Sequence, residues 1–182
     1  MKYSISREQH FFFEQNHYIE FDGLLSDVEH KSLVDSLKKM TVQARDLSHT
    51  VKQVKAITHM KRLAKLASQL THKSFLRFGF DQILCPPIEM GLVSEKLCIT
   101  GLVCLLYLSL DTPEVHAIFA DPLADAATLP LQPDTRYLVI GWAEERALYV
   151  LQPNDPHTHE LKKHGYVFGD RLKEEWHQIL VR

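Results

Sequence analysis

The hydrophobic pattern changes at Cys85-Pro86-Pro87, and this change limits the chain to a fold that combines helices with strands. Before the two prolines, apolar residues recur mainly with the 3.6-residue period of an amphipathic helix. After them, short runs of β-branched and aromatic residues are separated by turns, which is typical of strands. Helices and strands do not alternate as they do in a parallel sheet. We therefore expect an α+β domain with helices packed on one face of an antiparallel sheet.

The first part of the chain, residues 1–80, is predicted to be rich in helix. Helices are expected over 6–15, near 27–41 and over about 56–71. The second of these is the best defined, because Ser26 and Glu29 have the spacing of a capping box. The third has a basic outer face. A short strand is expected before the turn at Asp22-Gly23.

The last part of the chain, residues 97–182, is predicted to be rich in strand. Strands are expected over Leu97–Leu110, Val115–Ala120, Arg136–Ala143, Arg146–Gln152 and Tyr166–Phe168. The third and fourth of these are expected to pair as a hairpin. Asp170 could cap a final helix over 171–180. A length of 182 residues fits a single domain over 1–182.

Charge and cysteine content narrow the class of protein. The 21 basic and 23 acidic residues give a formal charge of −2, so no overall bias points to nucleic acid or membrane. The longest apolar stretch, Leu97–Leu110, is shorter than the roughly 18 residues that a membrane span needs. No signal-peptide pattern opens the sequence. Cys85, Cys98 and Cys104 form no CxxC motif, which favours reduced, buried thiols. We expect a soluble, cytoplasmic protein.

The densest polar cluster follows the strand expected at Arg146–Gln152. His157 and His159 lie two residues apart, so an extended backbone would place both imidazoles on one side. Asp155 and Glu160 add carboxylate oxygens. Two histidines and one carboxylate form the facial set that holds redox-active Fe(II). The alternative is a solvated turn, because prolines and an Asn-Asp pair are typical of turns.

Two segments carry a resemblance to a known family. In Phe13–Ser26, an aromatic residue is followed by an Asn-His-Tyr turn, a short strand and a Leu-Leu-Ser helix start. Leu148–Pro153, followed by His157 and His159, is similar to a strand and a Pro-Gly-Ser-His loop. Both segments resemble phytanoyl-CoA dioxygenase-like proteins, while the middle of the chain matches only in pattern.

The resemblance implies a double-stranded β-helix (jelly roll, cupin-like) with flanking N-terminal helices, and Fe(II) and 2-oxoglutarate as cofactors. It also implies an HxD/E pair and a distal His for the iron, and an Arg for the co-substrate. No histidine of this chain has an acidic residue two positions later, so the usual motif is missing. Substitute metal ligands would be His116, His157 and His159, and Arg136 or Arg146 would hold an anionic ligand. We expect an oxygenase-like fold without standard oxygenase turnover.

Two other functions stay open. Residues 47–80 carry seven basic and no acidic residues, and Lys61, Arg62 and Lys65 lie on the helical part of this segment. Together with the eleven histidines, this pattern would suit an iron-responsive transcriptional regulator that binds DNA. The simpler interpretation of the basic segment is a solvated outer face. A third hypothesis is a scaffold or partner-binding protein that needs neither metal nor DNA.

Overall fold

The computed structural model describes residues 4–40, 44–86, 97–112 and 116–182. Within these ranges the chain forms four α-helices and six strands. The helices are α1 (Arg7–Asn16), α2 (Asp27–Leu37), α3 (Lys52–Thr58) and α4 (Lys61–Thr71). The strands are β1 (Tyr18–Asp22), β2 (Leu76–Leu84), β3 (Leu102–Ser109), β4 (His116–Ala120), β5 (Tyr137–Ala143) and β6 (Ile179–Val181). The predicted α+β class is confirmed.

The six strands form one antiparallel sheet in the order β1-β4-β3-β5-β2-β6. Its central strands are apolar on both faces, so their side chains alternate between two cores. On β5, Leu138, Ile140 and Trp142 belong to one core, whereas Tyr137 and Val139 belong to the other. A sheet that is buried on both faces needs a covering layer on each side.

Helices cover the first face of the sheet. Leu63, Leu66 and Leu70 of α4 recur at helical spacing and lie buried in this core. Helix α2 begins at the predicted capping box, in which the Ser26 hydroxyl accepts from the Glu29 N–H and the Glu29 carboxylate accepts from the Ser26 N–H. No helix among the described residues is long and apolar enough to cross a lipid bilayer.

Segments outside the six strands cover the second face. Leu97, Tyr149, Leu161, Tyr166 and Leu172 pack against the sheet there. Two isolated β-bridges link three of these segments to one another. The second core is therefore enclosed by irregular chain rather than by helices.

The cysteines are unpaired, as predicted, and two of them are buried. Cys104 lies in the core beneath the helices, and Cys98 lies in the core on the other face. Burial, followed by the charge of Asp155, raises the pKa of Cys98 to about 12. This thiol is therefore protonated at neutral pH, and a protonated thiol is a poor nucleophile.

The helical predictions need two corrections. The helix expected over 56–71 is two helices, because the backbone at Met60 is extended (φ −72°, ψ 109°). Helix α3 ends just before this residue, and α4 begins just after it. Helix α2 ends at Leu37, earlier than the expected limit near 41, and residue 41 lies outside the described ranges.

The strand predictions were correct for β1, β4 and β5 and incomplete elsewhere. Strand β2 was not predicted, yet it lies beside β5 in the sheet. The stretch Leu97–Leu110 is a strand only from Leu102 onward, because Gly101 adopts a left-handed backbone (φ 69°). Val115, the first residue expected in β4, lies outside the described residues.

The elements expected at the C-terminal end were wrong. Arg146–Gln152 does not pair with β5, whose neighbours are β3 and β2. Tyr166–Phe168 forms no strand, and 171–180 forms no helix. The end of the chain instead forms a turn followed by β6, which pairs with β2 at the edge of the sheet. The sheet edge therefore decides the conformation of this segment.

Candidate functional site

A buried ion pair lies where the loop after residue 150 meets the sheet. The Arg45 guanidinium donates from Nη1 to Asp155 Oδ2 at 2.6 Å, and their side chains are 6% and 0% exposed. Asp155 Oδ2 also accepts from the Cys98 N–H at 2.8 Å. Asp155 Oδ1 accepts from the His157 N–H at 2.9 Å. Both carboxylate oxygens are therefore engaged within the protein.

Strand β2 supplies the other contacts of this pair. Arg45 donates from Nε and Nη2 to Gln82 Oε1, at 3.1 and 3.0 Å, and its guanidinium lies 5.7 Å from the centre of the Phe80 ring. Asp81 points to the opposite side of β2, where its carboxylate accepts from the N–H groups of Leu47 and Ser48. We call Arg45, Asp46, Asp81 and Asp155 the Arg45 cluster.

Asp46 is the member of the Arg45 cluster that titrates near neutrality. Burial, followed by the charge of Asp81, raises the pKa of Asp46 to about 7, against the opposing effect of Arg45. Its backbone is left-handed (φ 57°), which is uncommon for a residue other than glycine. Burial also acts to raise the pKa of Asp155, but the hydrogen bond and charge of Arg45 outweigh it and lower that pKa. The cluster therefore holds one carboxyl able to exchange a proton at neutral pH and one that stays ionised.

The predicted loop ligands have different environments. His157 is half-buried and His159 is exposed, with its ring 5.8 Å from the Phe168 ring. Glu160 forms an ion pair with Lys163 at 2.5 Å. The carboxylate nearest in sequence to His157 is the buried Asp155, which is bound to Arg45.

His116, the third predicted ligand, lies at the start of β4 beside β1. Its Nε2 is 3.0 Å from Glu20 Oε2 and its Nδ1 is 3.2 Å from Asp22 Oδ1. Both ring nitrogens thus face carboxylates of β1. No three His, Cys, Asp or Glu side chains among the described residues are grouped so that they could hold a metal ion. The structure therefore does not bring His116 together with His157 and His159.

The predicted anion-binding arginines differ in their availability. Arg136 forms two-pronged contacts with Asp111, the shortest of them 2.6 Å between Nη2 and Oδ1. Its Nη1 also donates to the carbonyl of Leu37, the last residue of α2, and to that of Met40 after it. This guanidinium therefore joins α2 to the sheet. Arg146 is exposed in the turn after β5.

The predicted nucleic-acid residues lie exposed on α4, as expected of an outer face. Lys61 and Lys65 belong to the side of the helix that faces away from the core. Arg62 forms an ion pair with Glu29 at 2.7 Å and donates to the Leu24 carbonyl at 3.1 Å. This arginine therefore links α4 to the start of α2.

The second face of the sheet does not fit the iron that the family resemblance implies. Fe(II) in the facial arrangement needs imidazole nitrogens and a carboxylate with open positions. This face instead carries closely packed aromatic rings, contributed by Phe80, Tyr107, Tyr137, Tyr149 and Tyr166. All five residues are buried, and each is at most 2% exposed.

Sequence reasoning missed Arg45 and Asp46. Arg45 and Asp155 are 110 positions apart, and no local spacing connects them. One signal was present, because Asp81 interrupts the apolar run of β2. A charge inside such a run needs buried partners, which predicts a polar cluster without identifying its members.

Comparison with known proteins identifies the fold. No family model matches the chain, and no curated protein matches it. Among solved structures, the non-heme alpha ketoglutarate dependent carbocyclase SnoK from nogalamycin biosynthesis aligns with a TM-score of 0.75 and 12% identity, over 97% of this chain and 96% of that one. The epimerase SnoN from the same biosynthesis gives 0.74 and 11%, over 95% of each chain.

A third solved structure, CT296 from Chlamydia trachomatis, gives a TM-score of 0.60 and 19% identity, over 79% of this chain and 97% of that one. At these identities the comparison establishes architecture and not activity. The chain thus has the fold of the non-heme, alpha ketoglutarate dependent enzymes SnoK and SnoN.

Proposed function

We propose that this chain is a binding protein built on the fold of non-haem iron oxygenases, and that it does not carry out their iron-dependent reaction. One observation carries the proposal. The carboxylate beside the candidate ligands His157 and His159 is Asp155, and its oxygens are bound by Arg45, by the Cys98 N–H and by the His157 N–H. Metal binding there would require the loss of a buried ion pair, which costs about 3–5 kcal/mol.

The packing of the second face supports the same proposal. The Tyr149 hydroxyl donates to the Thr158 carbonyl, and the Tyr149 ring packs edge to face on Tyr166 at 5.9 Å. These contacts fix the loop that contains His157. We infer that the loop serves the packing of the domain, with its histidines outside any iron centre.

We also infer the finer architecture, a single domain whose second layer completes a double-stranded β-helix. The supporting contacts are the isolated bridges Ile99–Tyr149 and Leu148–Arg171, which run antiparallel outside the main sheet. Residues from the same segments fill the second core. This arrangement agrees with the fold of SnoK and SnoN.

The test is an anaerobic titration with Fe(II) in the presence of 2-oxoglutarate. Iron that chelates this co-substrate gives a visible charge-transfer band, and we expect no saturable band with the wild-type protein. A band that saturates at one equivalent would overturn the proposal. The variants H116A, H157A and H159A would then identify the ligands, with the exposed His72→Ala as the matched control.

Nothing in the structure or in the comparisons supports the transcription-regulator alternative. Arg62, one of its three candidate DNA contacts, is paired with Glu29. We therefore propose no second function.

A further inference from the structure

The last residues of the chain lie as a strap across the edge of the sheet. We define the C-terminal strap as residues 173–181. Its strand β6 pairs with Leu76 and Arg77 of β2, and the Phe78 N–H donates to the Gln178 carbonyl at 2.9 Å. Leu180 is buried in the core beneath the helices. The strap therefore covers backbone groups of β2 that would otherwise form an open edge.

A buried histidine fixes the strap to the domain. His177 is only 2% exposed, and its Nδ1 lies 2.9 Å from the Tyr166 hydroxyl. Its ring is also 6.4 Å from the Phe78 ring of β2. Within the described part of the chain, no carboxylate forms an ion pair with it at 4 Å or less. Hydrogen bonding and aromatic packing therefore hold this imidazole in its neutral form.

The charged groups that act directly on His177 are basic. The Tyr166 ring contacts His177, and His49 and Arg77 are the charged groups that act on it directly. The strap and the elements packed against it also carry Lys55, His59, His164, Lys173, Asp170, Glu145, Glu174 and Glu175. Burial, followed by the neighbouring His49 and Arg77, lowers the pKa of His177 to about 3. A proton on this ring would be both desolvated and repelled by Arg77.

Trp176, the neighbour of His177 in the strap, makes further ring contacts with the rest of the protein. Its ring lies 3.6 Å from the His164 ring and 4.6 Å from the His49 ring. Both of these histidines are exposed, whereas His177 is buried. His177 is the one whose protonation requires the strap to leave.

We propose that the C-terminal strap is an acid-released latch, which docks on β2 while His177 is neutral and detaches when this residue is protonated. Detachment uncovers the N–H and C=O groups of Leu76 and Arg77, which can pair with an added strand. The latch does not depend on whether the protein binds iron. In acid, detachment of the strap would expose the edge of β2 at the surface.

The size of the effect follows from proton linkage. A released His177 regains the ordinary pKa of 6.5, so below that pH the open form binds a proton that the docked form does not. Acidification from pH 7.5 to 5 therefore increases the opening equilibrium of the strap about 30-fold. Opening of the strap alone leaves the central strands of the sheet paired, so it does not change their exchange.

The experiment is amide hydrogen exchange followed residue by residue by NMR, corrected for the intrinsic effect of pH on exchange. The reporters are the Phe78 amide and the amides of β6, and β3 serves as the internal reference. We expect the opening equilibrium at the reporters to increase about 30-fold between pH 7.5 and 5 while β3 is unchanged. Equal loss of protection in β3 would mean global unfolding and would exclude the latch.

Two variants make the test specific. His177→Gln cannot be protonated but keeps an acceptor for the Tyr166 hydroxyl, so its reporters should lose the pH response. His159→Gln removes an exposed histidine elsewhere and should respond like the wild type. A response that persists in H177Q, or that is lost in H159Q, would overturn the assignment to His177. If H177Q does not fold, the absence of any pH response in the wild type would itself overturn the proposal.

Discussion

The Arg45–Asp155 ion pair is the interaction for which a single substitution has the clearest consequence. Asp155→Asn removes the charge opposite a guanidinium that is only 6% exposed. Because the remaining buried charge is uncompensated, we expect the free energy of unfolding to fall by about 3 kcal/mol. Urea denaturation at pH 7 measures this change. The exposed Glu160–Lys163 pair provides the control, and Glu160→Gln should change stability by less than about 0.5 kcal/mol. Equal effects of the two variants would refute a special role for the buried pair.

Arg136 permits a test between binding an anion and joining two elements. Its guanidinium contacts Asp111 and the carbonyls of Leu37 and Met40. Arg136→Gln should therefore lower the free energy of unfolding by about 1–2 kcal/mol, since several hydrogen bonds to a charged group are lost. The exposed Arg146→Gln should be neutral within about 0.5 kcal/mol. Thermal unfolding of the two variants, side by side, distinguishes them. No loss of stability in R136Q would free this arginine for a ligand.

Strands β2 and β5 can pair only because β5 has a glycine opposite an aromatic ring. A Cβ added at Gly141 would lie 2.2 Å from Cε1 of Phe80, a ring that is itself buried. Gly141→Ala should destabilise the protein by about 3 kcal/mol, because a packed interior cannot absorb the added atom. Denaturant unfolding of G141A gives the value, and adding Phe80→Leu should recover part of it. At Gly23 an added Cβ would meet no atom within 4 Å, but the backbone φ is 67°, so Gly23→Ala should cost only about 1 kcal/mol.

Local patterns predicted those elements whose signals are themselves local. The capping box of Ser26 and Glu29 marks the start of α2, because both hydrogen bonds form within four residues of the chain. Strand β2 escaped prediction because Arg77, Gly79 and Asp81 interrupt its apolar pattern. Asp81 is satisfied by amides more than 30 positions away, and such partners cannot be read from a window of ten residues.

At the C-terminal end, the local pattern predicted an element that does not form. Leu172, Trp176, Ile179 and Leu180 fit the spacing of a helix, yet the segment ends as β6 because the open edge of β2 pairs with it. Local sequence patterns could not identify the contacts of the candidate site either. His157 and His159 were identified by their spacing. The neighbouring carboxylate of Asp155 binds Arg45, which lies 110 positions away in the sequence.

Two groups, Asp46 and His177, give the stability of the protein opposite dependences on pH. The folded pKa of Asp46, about 7, is above its unfolded value of 3.8, so its contribution to stability is present below pH 3.8 and is lost as the pH rises through 7. The folded pKa of His177, about 3, is below its unfolded value of 6.5, so its contribution is present above pH 6.5 and is lost as the pH falls toward 3.

Between pH 7.5 and 5 these two effects oppose each other. Acidification over this interval returns about 2.5 kcal/mol through Asp46 and removes about 2 kcal/mol through His177. Neither group is among the charges that shift the pKa of the other, so the two effects should be additive. Removing both groups together should therefore leave the change in the urea midpoint between the two pH values close to that of the wild type.

Single variants should reveal the separate contributions of Asp46 and His177 to the free energy of unfolding. Asp46→Asn keeps a side chain that tolerates the left-handed backbone, and relative to the wild type it should lose about 2.5 kcal/mol of stability from pH 7.5 to 5. His177→Gln should show the opposite, a gain of about 2 kcal/mol over the same interval. The double variant should respond to pH much as the wild type does, and Asp35→Asn, at an exposed position of α2, should match the wild type. Parallel pH dependence in D46N and H177Q would show that neither group controls stability, because opposite slopes are the signature of opposite pKa shifts.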